Sequence, residues 1–261
     1  MERWQEFEQE CCEYLNQKYG NSHIAFRLSG ASDANKPDIM LYKDGRHLFN
    51  IEVKMAKAQS GQFVVKYENG QFVFSTANKT DEEEAAAIIA HMNKNKEKYK
   101  DVTTTSIPID MEVEEFSKWI VSHYLGKNEQ FVITEGNKGF IIFPIEKYTD
   151  YFETTAAYRI KKSGSCEVSR NNVYDLKAYF KARKIPAVFS FVGKKLYMTG
   201  YKMRIKEKIS VGKYDYMVSS IDEHGCYLRR LSNTNNANVI FSISLKREQD
   251  LRDLKAFEEK L

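Results

Sequence analysis

Cysteine is scarce in this chain, with four in 261 residues: Cys11, Cys12, Cys166 and Cys226. None has zinc-ligand spacing, and neighbours such as Cys11-Cys12 on one helix are poorly placed to bridge. Neither a zinc module nor a disulfide-stapled secreted fold is therefore expected, and Cys11 is expected in a reduced core. No apolar run approaches the roughly 20 residues that a membrane-crossing helix needs. No Gly-rich loop opens a helix as a phosphate cradle, so no nucleotide cofactor is expected. There is no internal repeat and no low-complexity tract. The opening residues, Met1-Glu2-Arg3-Trp4-Gln5-Glu6, are too charged for a secretion signal, and together with the thiols they point to the cytoplasm.

What is present is ordinary globular material. Hydrophobic residues make up 42% and charged residues 29%, enough for a sizeable core in one large domain or two joined ones. The net charge is only +4, but it is unevenly placed. Tyr158 to Lys213 holds 15 Lys and Arg against 3 Asp and Glu, a local excess of +12 that leaves −8 for the rest. A basic surface of this kind suits a polyanion, since phosphate contacts supply most non-specific affinity. The ordinary alternative is that these side chains solvate a helix and some strands.

The richest stretch runs from Pro37-Asp38 to Glu52-Val53-Lys54. Ile39 to Tyr42 is apolar, Lys43-Asp44-Gly45 signals a tight turn, and Arg46 to Met55 alternates. Phe49, Ile51 and Val53 then share one face of a strand, while Asn50, Glu52 and Lys54 share the other. Two carboxylates on neighbouring strands, Asp38 and Glu52, offer hard oxygens to a divalent ion such as Mg²⁺, and Lys54 is placed to orient a water. The alternative is a surface hairpin with a cross-strand ion pair, which is common and weak. The apolar content of both strands argues instead for a central pair, where charges are costly without a role.

Pro37, Asp38, Glu52 and Lys54 together resemble the signature of the PD-(D/E)xK nuclease superfamily, over roughly the first third of the chain. The resemblance implies that Asp38, Glu52 and the Val53 carbonyl bind metal and that Lys54 positions the attacking water. It also implies that a helix before the hairpin supplies another acid, for which Glu8 is the candidate, and that a polar residue follows the Lys, for which Gln62 is the candidate.

Elsewhere, residues 3 to 18 read as a helix and His23 to Leu28 as a strand, with Arg27 and Ser29 leading into a polar loop able to meet a phosphate backbone. Phe63 to Tyr67 and Gln71 to Ser75 form a second hairpin around Asn69-Gly70, and Thr80 caps a helix. Residues 110 to 125 form another helix, and Phe131 to Thr134 and Phe140 to Pro144 are strands extending the same sheet. In the basic half, Tyr158 to Lys162, Ala187 to Val192, Lys195 to Thr199, Met217 to Ile221, Tyr227 to Leu231 and Val239 to Leu245 read as strands. Asn172 caps a helix through Lys184, and 246 to 261 is a final helix. Ser232 to Asn238 is a polar loop, either a plain linker or, through its asparagines, a reader of base edges. Candidate DNA contacts are Arg27, Ser29, Lys161, Lys162, Arg170, Arg183, Lys184, Lys202, Arg204, Arg229 and Arg230.

The expected fold is α/β: a restriction-endonuclease-like core with a central mixed sheet flanked by helices at 1–150, and a basic α+β region for DNA binding at 151–261. The expected function is that of a Mg²⁺-dependent, sequence-specific double-stranded DNA endonuclease. The size and basic second half look most like a type II restriction enzyme, which the resemblance implies is a homodimer. A Holliday-junction resolvase or repair nuclease would share the site, and a non-cleaving DNA-binding protein would share the basic half. Against the last stands the acidic pair, which repels phosphates.

Overall fold

The Asp44-Gly45 turn has the backbone its dipeptide foretells, with φ of +50° and +76°, and a two-residue connection joins Lys43 to Arg46. A computed structural model of the chain describes residues 3–29, 37–78, 83–102, 105–162, 164–232 and 235–261. Two compact units emerge: Met1–Arg159 with Ala237–Leu261, and Ile160–Asn236. The division differs from a boundary at 150, because the last 25 residues return to the first unit rather than completing a region 151–261.

In chain order, the first unit begins with α1 (Arg3–Tyr19), β1 (Ile24–Leu28), β2 (Ile39–Lys43), β3 (Arg46–Val53), β4 (Lys57–Glu68) and β5 (Gln71–Phe74). It continues through α2 (Ala86–Lys94), α3 (Lys96–Tyr99), β6 (Ser106–Ile109), α4 (Val113–Leu125), β7 (Glu129–Gly136), β8 (Gly139–Pro144), α5 (Tyr148–Tyr151) and β9 (Phe152–Lys162). The second unit adds β10 (Ser165–Glu167), α6 (Arg170–Ala182), β11 (Val188–Val192), β12 (Lys195–Thr199), β13 (Lys208–Val211), β14 (Tyr214–Ile221) and β15 (Gly225–Leu231). The chain then closes with β16 (Asn235–Leu245) and α7 (Leu251–Glu258).

One five-stranded sheet runs β1-β2-β3-β7-β8, with β3 at its centre. Its pairs are antiparallel except β3–β7, which is parallel, so the sheet is mixed as expected. From Phe49 onward β3 is buried on both faces, the mark of a central strand. Ile39, Leu41, Phe49, Ile51 and Val53 share a core with Phe7, Cys11, Cys12 and Leu15 of α1 and Phe257 of α7. Phe257 meets Phe131 edge-on, with ring centroids 5.2 Å apart. A second sheet of the same unit runs β5-β4-β16-β9-β6.

The second unit is a six-stranded antiparallel sheet, β11-β12-β15-β14-β13 with β10 against β15. Leu176 and Phe180 of α6 pack with Leu196, Met198, Tyr216, Val218 and Leu228. This unit, one long helix against an antiparallel sheet, holds most of the basic segment Tyr158–Lys213.

Several local readings change. Helix α6 starts at Arg170 with Ser169 at its N-cap, and Asn172 lies three residues inside, where its Oδ1 accepts from the Ser169 hydroxyl at 2.7 Å. Asn235, Asn236 and Asn238 are not loop residues but belong to β16, and Asn238 is buried opposite Val64. A run of Asn in a strand is unfavourable locally and is held there by pairing with β4. The final helix spans only Leu251–Glu258, because Asp250 caps it by accepting from Arg252 N. Thr80 and Asn233 lie outside the described residues. No described helix is long and apolar enough to cross a membrane.

Candidate active site

The alternation of β3 sends Phe49, Ile51 and Val53 into the α1 core and leaves Asn50 and Glu52 on the opposite face. Asp38 immediately precedes β2. Its Oδ2 accepts the Val53 amide at 2.9 Å, and its carbonyl accepts the Ser29 amide at 3.1 Å. One carboxylate therefore fastens the end of β2 to the end of β3. Lys54 leaves β3 with its amide bonded to Ile133 O of β7 at 3.0 Å. Its ammonium turns back to the Glu52 carboxylate and lies 3.4 Å from the Val53 carbonyl. The side chains of Lys54 and Glu52 are 13% and 6% exposed, so the pair is shielded from water.

Shielding sets the charges. Burial pushes Asp38 up to about 8, reinforced by the Glu52 charge and opposed by Lys54. Burial alone would raise Glu52 too, but the Lys54 ammonium, then a hydrogen bond from the Glu129 carboxyl and the Lys127 ammonium, outweigh it and hold this carboxylate below its ordinary range. Burial would lower Lys54, but Glu52 holds it charged well above its ordinary value. Burial raises Glu8, and the next influences on it are Glu52 and Lys54, so α1 does bring this acid toward the site.

Gln62 is placed differently. It is exposed on β4, in the second sheet, and its amide oxygen accepts from Gln59 at 3.2 Å. The twelve residues of β4 begin soon after Lys54 and carry Gln62 into another sheet.

A further acid joins from β7. Glu129 is fully buried, and its carboxyl lies beside the Glu52 carboxylate. Burial, then the neighbouring Glu52 charge, push it up to about 11, so it is neutral where Glu52 is charged. The sequence does carry a trace of it: Glu129 heads the run Gln130-Phe131-Val132-Ile133, a lone acid entering a strand buried on both faces. On the same side, Tyr124 of α4 faces Lys54, and His123 stacks on Trp119 with centroids 5.0 Å apart. Burial and Lys127 lower His123 to about 4, so this imidazole is neutral.

Among the described residues, no three His, Cys, Asp or Glu side chains converge as a metal cage. The available donors are two carboxylates and a main-chain carbonyl. All are hard oxygens, and the two acids are strained by burial and mutual repulsion in a way that a divalent cation relieves. Asp38, Glu52 and Val53 O therefore fit the metal that the motif implies.

Of the basic candidates, Arg27 lies on β1 with its guanidinium 4.8 Å from the Tyr42 ring centroid. In the second unit Arg170, Arg183, Lys184, Lys202 and Arg204 are exposed, and Lys161 is half-buried. Arg183 packs on Tyr179 at 3.6 Å. Arg229 is committed internally, donating to Ser165 Oγ and Ser165 O at 2.8 Å each. Arg230 lies over Tyr214 at 4.5 Å and reaches Asn172 Oδ1 at 3.4 Å. The Lys162 side chain lies outside the described residues.

No protein-family model matches the chain, and no curated protein does. A solved structure of HhaI endonuclease in complex with DNA is similar to it throughout: 35% identical, covering 99% of this chain and 98% of that one, with a TM-score of 0.83. With the acidic pair and lysine at the centre of a mixed sheet, and identity at that level over nearly the whole of both chains, the chain belongs to the restriction-endonuclease family that includes HhaI endonuclease, a type II site-specific deoxyribonuclease.

Proposed function

We propose that the protein cleaves double-stranded DNA at specific sequences in a Mg²⁺-dependent reaction, as a cytoplasmic homodimer. The observation that carries the reading is the junction of β2 and β3, where the Asp38–Val53 bond sets one carboxylate beside Glu52 and Lys54. Asp38, Glu52 and the Val53 carbonyl would hold the ion. When bound, Mg²⁺ supplies Lewis-acid stabilisation of charge developing on the phosphoryl and leaving oxygens.

The chain's own groups do the rest. Lys54, held charged by Glu52, orients the attacking water through an ammonium hydrogen. The low exposure of Lys54 and Glu52 keeps bulk water from competing for their hydrogen bonds. Glu8 adds a third carboxylate at the margin of the site, able to orient water rather than bind phosphate. The exposed basic residues of the second unit, Arg170, Arg183, Lys184, Lys202 and Arg204, supply phosphate contacts, with Arg27, Ser29, Lys161 and Lys162 as further contacts. Specificity fits the HhaI endonuclease likeness, and two-fold symmetry fits a palindromic site.

The test is incubation with phage DNA in Mg²⁺ or in EDTA, alongside Lys54→Ala, with the oligomeric state measured by sedimentation. Discrete fragments that need Mg²⁺ and fall at least about a hundredfold in Lys54→Ala are expected. A smear would discard sequence specificity, and cleavage that survives Lys54→Ala would discard the site.

A further inference from the structure

Lysine is a long, flexible side chain, and a lysine that must aim a water needs walls. Strand β3 ends at Val53, and the Lys54 amide is bonded to Ile133 O of β7. One wall is Glu52. The other is the ring of Tyr124, whose centroid lies 5.3 Å from the Lys54 Nζ, inside the range of a cation–π contact. A desolvated ammonium gains more from such a contact than an exposed one, and the Lys54 side chain is only 13% exposed.

The ring is itself pinned. Tyr124 is 3% exposed, and its hydroxyl lies 3.1 Å from Ser60 Oγ. Ser60 on β4 is fully buried and also bonds the hydroxyl of Tyr148, from α5. Three elements remote from one another in sequence thus meet in a small hydroxyl cluster whose outer face is the Tyr124 ring. Ser60 can come so close because Gly61, with φ of +118°, passes directly against Trp119. Lys127 lies over the same ring at 5.2 Å, so the ring is a shared acceptor for two ammoniums.

We propose that Tyr124 is a positioning residue for Lys54, and that its ring, locked by Ser60 and Tyr148, holds the ammonium against the Glu52 side of the site. The inference rests on the reading of Lys54 as the group that orients water. The hydroxyl serves to fix the ring, while the aromatic face acts on the lysine.

The test replaces Tyr124 by Phe, then by difluoro- and trifluorophenylalanine, ring analogues of nearly constant size whose π-face weakens stepwise. Single-turnover cleavage of a DNA substrate, DNA affinity and thermal midpoint are measured on each full-length protein. Tyr124→Phe keeps the aromatic face but loses the hydroxyl that fixes it, so it should cleave about threefold more slowly than the parent, and it serves as the reference for the fluorinated series. The trifluoro analogue should cleave about tenfold more slowly than the Phe variant, with DNA affinity and thermal midpoint unchanged. Equal rates along the series, with Lys54→Ala inactive, would overturn the inference and leave the catalytic reading standing. Loss of rate that only tracks loss of thermal midpoint would also overturn it, as packing alone. Activity in Lys54→Ala would instead remove the reading on which the inference rests.

Discussion

At the scale of single residues, the site is governed by carboxylates held out of water. Asp38 sits near 8, and only its ionised form can serve as a metal ligand. Mg²⁺ binding should therefore release about one proton below that pH and almost none above it. Calorimetric titration at pH 6.5 and pH 9, in buffers of differing ionisation enthalpy, measures this, and equal proton release at the two pH values would contradict it. Glu129 makes a stability prediction. Its folded value near 11 lies above the ordinary 4.5, so the folded state binds the extra proton between these limits, and stability is lost as pH rises through them. Glu129→Gln removes that dependence. Its advantage over the parent should be absent near pH 4.5 and grow with pH, by up to about 1.4 kcal/mol per unit. Denaturant unfolding at pH 5 and pH 8 decides it, and parallel slopes for both proteins would refute the assignment. Much of this scale was legible: Asp38, Glu52 and Lys54 stood out because alternation puts a charge where a central strand should be apolar. Glu129 did not, because a glutamate at a strand end is usually solvated, and only the parallel pairing of β7 with β3 seals it from water.

At the scale of elements, β4 shows how backbone conformation serves a site it does not enter. A Cβ at Gly61 would lie 2.8 Å from Trp119 Cζ3, and φ of +118° is strained for any other residue. Gly61→Ala should cost about 3 kcal/mol, read from urea midpoints. It should also slow cleavage by disturbing Ser60, and an unchanged midpoint would show that Trp119 can move aside. The two Asx-Gly hairpins were readable because the I′ turn has a strict chemistry, met by Asp44-Gly45 and by Asn69-Gly70, with φ of +51° and +77°. β6, β10 and β13 were not foreseen. They are short, three or four residues each, and pairing rather than propensity makes them strands.

At the scale of the whole molecule, the first unit is closed by the end of the chain. β16 lies between β4 and β9 in the second sheet, and Phe257 of α7 is fully buried in the core beneath β3. A fragment ending at Arg159 lacks both, so it should fail to fold cooperatively, whereas adding residues 237–261 through a short linker should restore folding. Far-ultraviolet dichroism and a thermal transition on the two proteins measure this, and a cooperative transition in the short fragment would rule it out. By itself the sequence determined the mixed sheet, the central hairpin, the acidic pair with its lysine, and the basic character of the second half. All of these are written in local periodicity, turn chemistry and charge, which act within a few residues. Only the tertiary structure decided where the chain divides, that Asn238 is a buried strand residue, that Glu129 and Tyr124 flank Glu52 and Lys54, and that Gln62 lies in a different sheet. Each of those depends on which distant segments pair and exclude water, and long-range pairing leaves no periodic mark on the residues that it brings together.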